Sequence, residues 1–280
     1  MHGPTILERS LTRRTVTDKA GRRWQYNSRS DRHSKVACWT VLFDLLLASE
    51  PLQRDVREGR VYFGINHTMV NYQTGRQKDL DLVLCTHGGD IGGKSSSFAD
   101  LADKYELELD KPERALLAAL PTLRTSLVGS VRVALEAKAT MTAHIAALPR
   151  LYDELESSHV VIHGNADEAI AVAYAIVNLS DTFVSSVTNS SDKKSDAIKY
   201  TQHKQPRDAE RTLEKLREIP RRAAPGKPGF DAIGATVISF VNDGSPVRIV
   251  RDPPAPQHND VLSYEGMIRR VAHAYETKYR

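Results

Sequence analysis

Hydrophobic positions along this chain repeat with two different periods, and each change of period marks an element. Across Arg32–Ser49 the residues Val36, Trp39, Phe43, Leu46 and Leu47 recur at helical spacing, behind Asp31 as a capping residue. Val61–Tyr72 alternates instead. With the turn residues Gln73–Arg76 and the run Lys78–Cys85, KDLDLVLC, it predicts a β-hairpin. Helical spacing returns in SSFADLADKY and opens a helical insertion over 98–124, interrupted at Pro112 and Pro121. Val131–Thr140, VRVALEAKAT, reads as a strand, and Met141–Leu155 as a helix that kinks or restarts at Pro149. His159–His163 is expected to be a short strand, and the Ala- and Val-rich Ala166–Leu179 a helix buried on most sides. Ser185–Lys194 predicts a loop, Arg207–Ile219 a charged amphipathic helix and Pro220–Gly229 a linker. Thr236–Val250 predicts a hairpin around Asn242-Asp243-Gly244, and Val261–Tyr279 a closing helix. Residues 1–30 are polar and basic with little periodicity, as in a DNA-contacting arm or a frayed terminus. Strands interleaved with helices, without internal repeats, place the chain in the α/β class.

Chemistry concentrates on the strand Val131–Thr140. Side chains two apart on a strand project the same way, so Glu136 and Lys138 lie side by side. The same rule sets Asp79 and Asp81 on one face of the preceding strand. Asp81 lies deeper in the apolar run, whereas Asp79 borders the turn and Lys78. Should the two strands pair, one carboxylate from each and a lysine converge on a point. Two carboxylates suit a hard cation such as Mg²⁺, and a neighbouring lysine can orient or deprotonate a water.

An acid in one strand, then Glu136-Ala137-Lys138 within the next, with a helix following, resembles the PD-(D/E)XK nuclease superfamily over roughly residues 36–165. The resemblance implies a restriction-endonuclease-like fold, with a mixed central sheet flanked by helices. The expected organisation is one nuclease domain over 1–280: a basic arm to residue 30, a catalytic core over 31–185 and a C-terminal extension over 186–280. It further implies Mg²⁺, or Mn²⁺ in its place, held by Asp81, Glu136 and the carbonyl of Ala137, with Lys138 acting on the water. The implied reaction is endonucleolytic hydrolysis of double-stranded DNA by a homodimer or higher symmetric oligomer, of restriction or anti-phage type. A methyltransferase or signal synthase encoded nearby would be a natural companion. The gap between Asp81 and Glu136 is long for the family and must hold an insertion. The C-terminal third is left with three roles: completing the sheet, forming a dimer contact or bearing DNA specificity.

A second motif competes. Gly88–Ser95 matches the phosphate-loop pattern G-x-x-x-x-G-K-[ST] letter for letter, with Lys94 and Ser95 in the functional positions. A P-loop NTPase or phosphotransferase is therefore the alternative enzyme, and a nucleic-acid-binding relative that does not cut is the alternative non-enzyme. A phosphate loop needs a parallel sheet and a second, Asp-tipped strand, and neither HVVIHGNAD nor TVISFVND ends in an acid directly after its apolar run. Histidines add weaker candidates. His144 is placed near the sheet edge within reach of the metal or DNA, His159 and His163 share a face as potential ligands, and His33 and Lys35 sit at a helix start that can meet a phosphate.

Charge changes this picture little in total and more in distribution. The net charge is +4, yet residues 1–35 hold nine Lys/Arg against three Asp/Glu, and residues 193–222 ten against five. Two basic segments around a neutral centre suit a phosphate backbone. Cys38 and Cys85, both in apolar stretches, read as buried free thiols of a cytoplasmic protein. No apolar run reaches the roughly 20 residues that span a bilayer.

Overall fold

The structure, a computed structural model, describes residues 1–90, 96–190 and 198–279. Six strands form its central sheet: β1 (Tyr62–Val70), β2 (Gln77–His87), β3 (Val128–Thr140), β4 (Ile170–Asn178), β5 (Ala232–Ser239) and β6 (Arg248–Ile249), in the order β6-β5-β4-β3-β2-β1. The β1–β2 and β2–β3 pairs are antiparallel, β3–β4 and β4–β5 parallel, and β5–β6 antiparallel. The chain is thus α/β with a mixed sheet. The expected hairpin is present, with Gly75 at φ +70° in its turn, where a residue lacking Cβ fits without strain.

Helices cover both faces. On one side α1 (Gly3–Thr12), α2 (Arg32–Ala48), α3 (Glu50–Arg57) and the C-terminal α8 (Tyr264–Lys278) enclose a core around Trp39, Phe43, Tyr174 and Tyr275. On the other side α6 (His144–Asn165) and α7 (Arg207–Glu218) pack over Leu80, Val83, Ala134, Ala171 and Ala173. The insertion between β2 and β3 carries two short helices, α4 (Phe98–Lys104) and α5 (Lys111–Ala119). It docks on α1, where Arg9 pairs with the buried Glu113.

Several expectations fail for identifiable reasons. Residues 1–30 are no frayed arm: Ile6, Leu7 and Leu11 form a complete apolar stripe on α1 and are fully buried against α2. Asp44, itself buried, accepts the His2 and Gly3 backbone N–H groups and closes that helix end. Ala166–Leu179 is not a helix but contains β4, whose nine residues are all buried. A central strand between two parallel neighbours with both faces covered shows no alternation, so its apolar run resembles a buried helix. His159–His163 is not a strand but the last turns of α6, which passes through Pro149 without stopping. The C-terminal third completes the sheet through β5 and β6. Among the described residues no single helix is long and apolar enough to cross a membrane; only α2 with α3, bent by 97°, passes as a pair. Cys38 and Cys85 are both buried free thiols.

Candidate active site

The β2–β3 ladder runs from His87 paired with Val128 to Leu82 paired with Leu135, and stops there. The next residues in register are Asp81 and Glu136, at the point where the two strands part. A slip in side-chain alternation occurs at the same place. Lys78 and Leu80 point to the α6 side, whereas Leu82 and Leu84 point to the α2 side. Opposite the slip, Asn66 of β1 takes φ +50° and its pairing with Asp81 is missing from the ladder. This irregularity turns the Asp81 carboxylate into the gap, where Oδ2 accepts the Ala137 N–H at 2.9 Å. Ser34 of α2 lies beside it, its hydroxyl donating to the Asp31 carbonyl at 2.9 Å. Asp79, two residues away, stays exposed and accepts from Thr68 at 2.5 Å. The two aspartates therefore do not share an environment, contrary to simple alternation.

Glu136 and Lys138 lie together on the α6 side, as their spacing predicts. Glu136 is only 2% exposed and Lys138 Nζ sits 2.8 Å from its Oε1. Lys138 also reaches Glu154 Oε2 of α6 at 3.0 Å, and Arg150 holds the other oxygen of Glu154 at 2.5 Å. A second lysine completes the cluster: Lys78 Nζ lies 3.6 Å from Glu136 Oε1 and donates to the Glu154 carbonyl at 2.5 Å. Among the described residues Glu136 Oε2 has no hydrogen-bond partner. A buried carboxylate oxygen left open is costly and normally takes a donor or a cation.

Titration behaviour follows from burial and from this alternation of sign. Burial raises the Glu136 pKa above the usual carboxylate range; Lys138 and Lys78 oppose the shift, and Asp81 adds to it. Asp81 is raised as well, by burial, against the pull of the Ala137 N–H and Ser34. Burial alone would lower the Lys138 pKa, but Glu136 and Glu154 outweigh it and hold the ammonium charged. A cavity of about 370 Å³ opens beside the cluster, lined among others by Asp81, Ala137, Lys138, Glu154, Tyr26 and His33. His33 is pushed down to about 4, by burial first and Lys138 second, so it faces the cavity as a neutral ring.

The remaining candidates separate from this centre. Lys94 and Ser95 lie outside the described residues. What surrounds them does not resemble a phosphate loop: β2 is antiparallel to both its neighbours, and Ser96 and Ser97 pair with 124–125 before α4 begins. Gly88 has a reason of its own, since a Cβ there would come within 2.6 Å of the Gly129 backbone. His144 does not reach the metal position or solvent; it is buried and its Nε2 bonds the Asn178 carbonyl at 2.8 Å. His159 and His163 share a face of α6 and clamp one loop, His159 accepting the Gly229 N–H and His163 bonding the Gly229 carbonyl. Lys35 pairs with Asp31 at 2.5 Å. Sequence reasoning missed Lys78, Glu154 and Ser34. The only trace of Lys78 was its place two residues before Leu80 on the same face; Glu154 and Ser34 lie on helices whose packing against β3 no local spacing announces.

The residues present fit a divalent cation. Two carboxylates with raised pKa values, Glu136 buried and Asp81 half-buried, flank the strand gap, and one Glu136 oxygen is unpartnered among the described residues. Among the described residues no group of three His, Cys, Asp or Glu side chains is placed to hold a metal ion, so a third ligand would have to come from main chain or water. No family model, curated protein or solved structure matches this chain.

Proposed function

We propose that the chain is a metal-dependent endodeoxyribonuclease of the PD-(D/E)XK kind. The observation that carries the reading is the buried, half-unpartnered carboxylate of Glu136 beside Lys138, at the point where β2 and β3 part around Asp81. Asp81, Glu136 and the Ala137 carbonyl would hold Mg²⁺ or Mn²⁺. The ion, when bound, supplies positive charge to the phosphate and acidifies a coordinated water. Lys138 is the residue for the attacking water, because it shares the strand face of Glu136 and borders the cavity. Its ammonium, held charged by Glu136 and Glu154, would donate hydrogen bonds that position that water or a phosphate oxygen. Hydrolysis leaves a phosphate on one side of the break and returns a proton to the 3′-oxygen on the other. Double-stranded DNA is the substrate proposed, and two sites related by symmetry would cut both strands.

The P-loop reading loses ground because an antiparallel β2 cannot supply the strand–loop–helix geometry that cradles phosphates. The deciding experiment incubates supercoiled plasmid with the purified chain. Cutting is expected with Mg²⁺ or Mn²⁺, and none with Ca²⁺ or EDTA. Lys138→Ala, folded by circular dichroism, is expected to lose it while Lys94→Ala retains much of it. Cleavage in EDTA, or ATP turnover lost with Lys94→Ala, would replace the proposal with another.

A further inference from the structure

We propose that Lys78 is a resident counter-cation of the site, fixed beside Glu136 by helix α6, whose charge sets how tightly the divalent ion binds. The inference rests on the nuclease reading and concerns a residue which that reading does not use.

The two lysines at Glu136 are held differently. Lys138 has carboxylates as its partners, Glu136 at 2.8 Å and Glu154 at 3.0 Å, and its side chain is 25% exposed. Lys78 is 15% exposed and is tied to α6 by neutral groups, the Glu154 carbonyl at 2.5 Å and the Ser157 hydroxyl at 3.4 Å. The Ser157 and Ser158 hydroxyls donate to the same carbonyl, so the anchor is itself fixed. Its ammonium also lies 3.6 Å from Glu136 Oε1, an ion pair rather than a hydrogen bond. Both ammonium groups thus serve Oε1 and leave Oε2 open.

Charge counting sharpens the difference. Lys78, Lys138 and Arg150 face Asp81, Glu136 and Glu154, so the cluster is neutral as it stands. A divalent ion adds two positive charges beside the buried Glu136, where like charges repel more strongly than in bulk water. Relief comes by moving the lysine that is held by charge alone, Lys138, toward the water and phosphate it serves. Lys78 cannot follow, because neutral partners on α6 keep it whether or not the ion is present. Its charge therefore stays beside the ligand carboxylate and weakens binding of the ion, while in the ion-free protein it offsets the buried negative charge of Glu136.

The test is calorimetric titration of the full chain with Mn²⁺, without nucleic acid, together with melting in EDTA. Lys78→Met is expected to bind Mn²⁺ tighter by about tenfold or more, the scale that one partly screened charge near an ion commands, and to melt lower in EDTA. Lys78→Arg, which keeps the charge, is expected to bind close to wild type. Should Lys78→Met fold poorly, Lys78→Gln keeps a hydrogen-bonding group without the charge and carries the same expectation. Unchanged or weaker Mn²⁺ binding in the neutral variants, with a wild type that does bind, would reduce Lys78 to a structural strut and overturn the inference alone. A wild type that binds no Mn²⁺ would overturn the metal reading and the inference with it.

Discussion

At the scale of single residues, the two aspartates of β2 are the sharpest contrast. Asp81 sits where the strand's alternation slips, half-buried and bonded to the Ala137 N–H, whereas Asp79 is solvated and occupied by Thr68. Under the proposed function Asp81→Asn is expected to abolish metal-dependent cleavage and Asp79→Asn to leave it within about threefold, an exposed site tolerating such a change. Asp81→Asn should also raise the melting temperature in EDTA, since it removes a negative charge that pushes up the pKa of the buried Glu136. Cleavage and melting of four proteins (wild type, each single variant and the double) would check this. A dead Asp79→Asn would shift the site by two residues along the strand.

At the scale of elements, α6 does two jobs at its two ends. Its first turns carry Arg150 and Glu154 to the site, and its last turns clamp the loop at Gly229 through His159 and His163. His159 is 1% exposed, and burial, helped by His163, pushes its pKa down to about 4. Its folded value lies below its unfolded value of about 6.5, so the unfolded chain binds the proton first. The stability it contributes is full above about pH 6.5 and is lost as pH falls toward 4, on the order of 3 kcal/mol for a shift of this size. Asn at this position keeps an acceptor for the Gly229 N–H and cannot be charged in this range. His159→Asn is therefore expected to flatten the loss between pH 6.5 and 4, read as urea unfolding free energies at each pH. An equally steep loss in the variant would place the titrating group elsewhere.

At the scale of the whole molecule, both basic segments, where described, reach the site: His203 of the second lies 3.1 Å from Thr142, which lines the cavity. Tyr26 and Ser28 line the cavity, and the Arg22 guanidinium bonds the Asn189 carbonyl, whose side chain in turn holds Lys199. Arg23 and Arg29 are exposed on that first segment. If they meet a phosphate backbone, reversing both charges weakens binding to every DNA sequence and lowers the slope of log affinity against log salt by about two. Fluorescence anisotropy in Ca²⁺, across a salt series, measures both quantities. An unchanged slope would remove this surface from the DNA path.

The sequence by itself determined what depends on neighbours in the chain. Helical spacing announced α2, α7 and α8, alternation with turn residues announced β1 and β2, and the two-residue spacing put Glu136 beside Lys138. It was silent or misleading wherever burial came from elsewhere. The apolar stripe of α1 was hidden among basic residues, because only α2 and the Asp44 carboxylate make those few apolar positions decisive. β4 read as a helix, because two parallel neighbours and two helical layers erase the alternation that identifies a strand. Tertiary structure alone separated Asp81 from Asp79, by a slip of one residue that no pattern of apolar letters records. It alone brought Lys78 and Glu154 to Glu136, because contacts between a helix and a strand depend on packing angle and depth, and those are properties of the assembled layers.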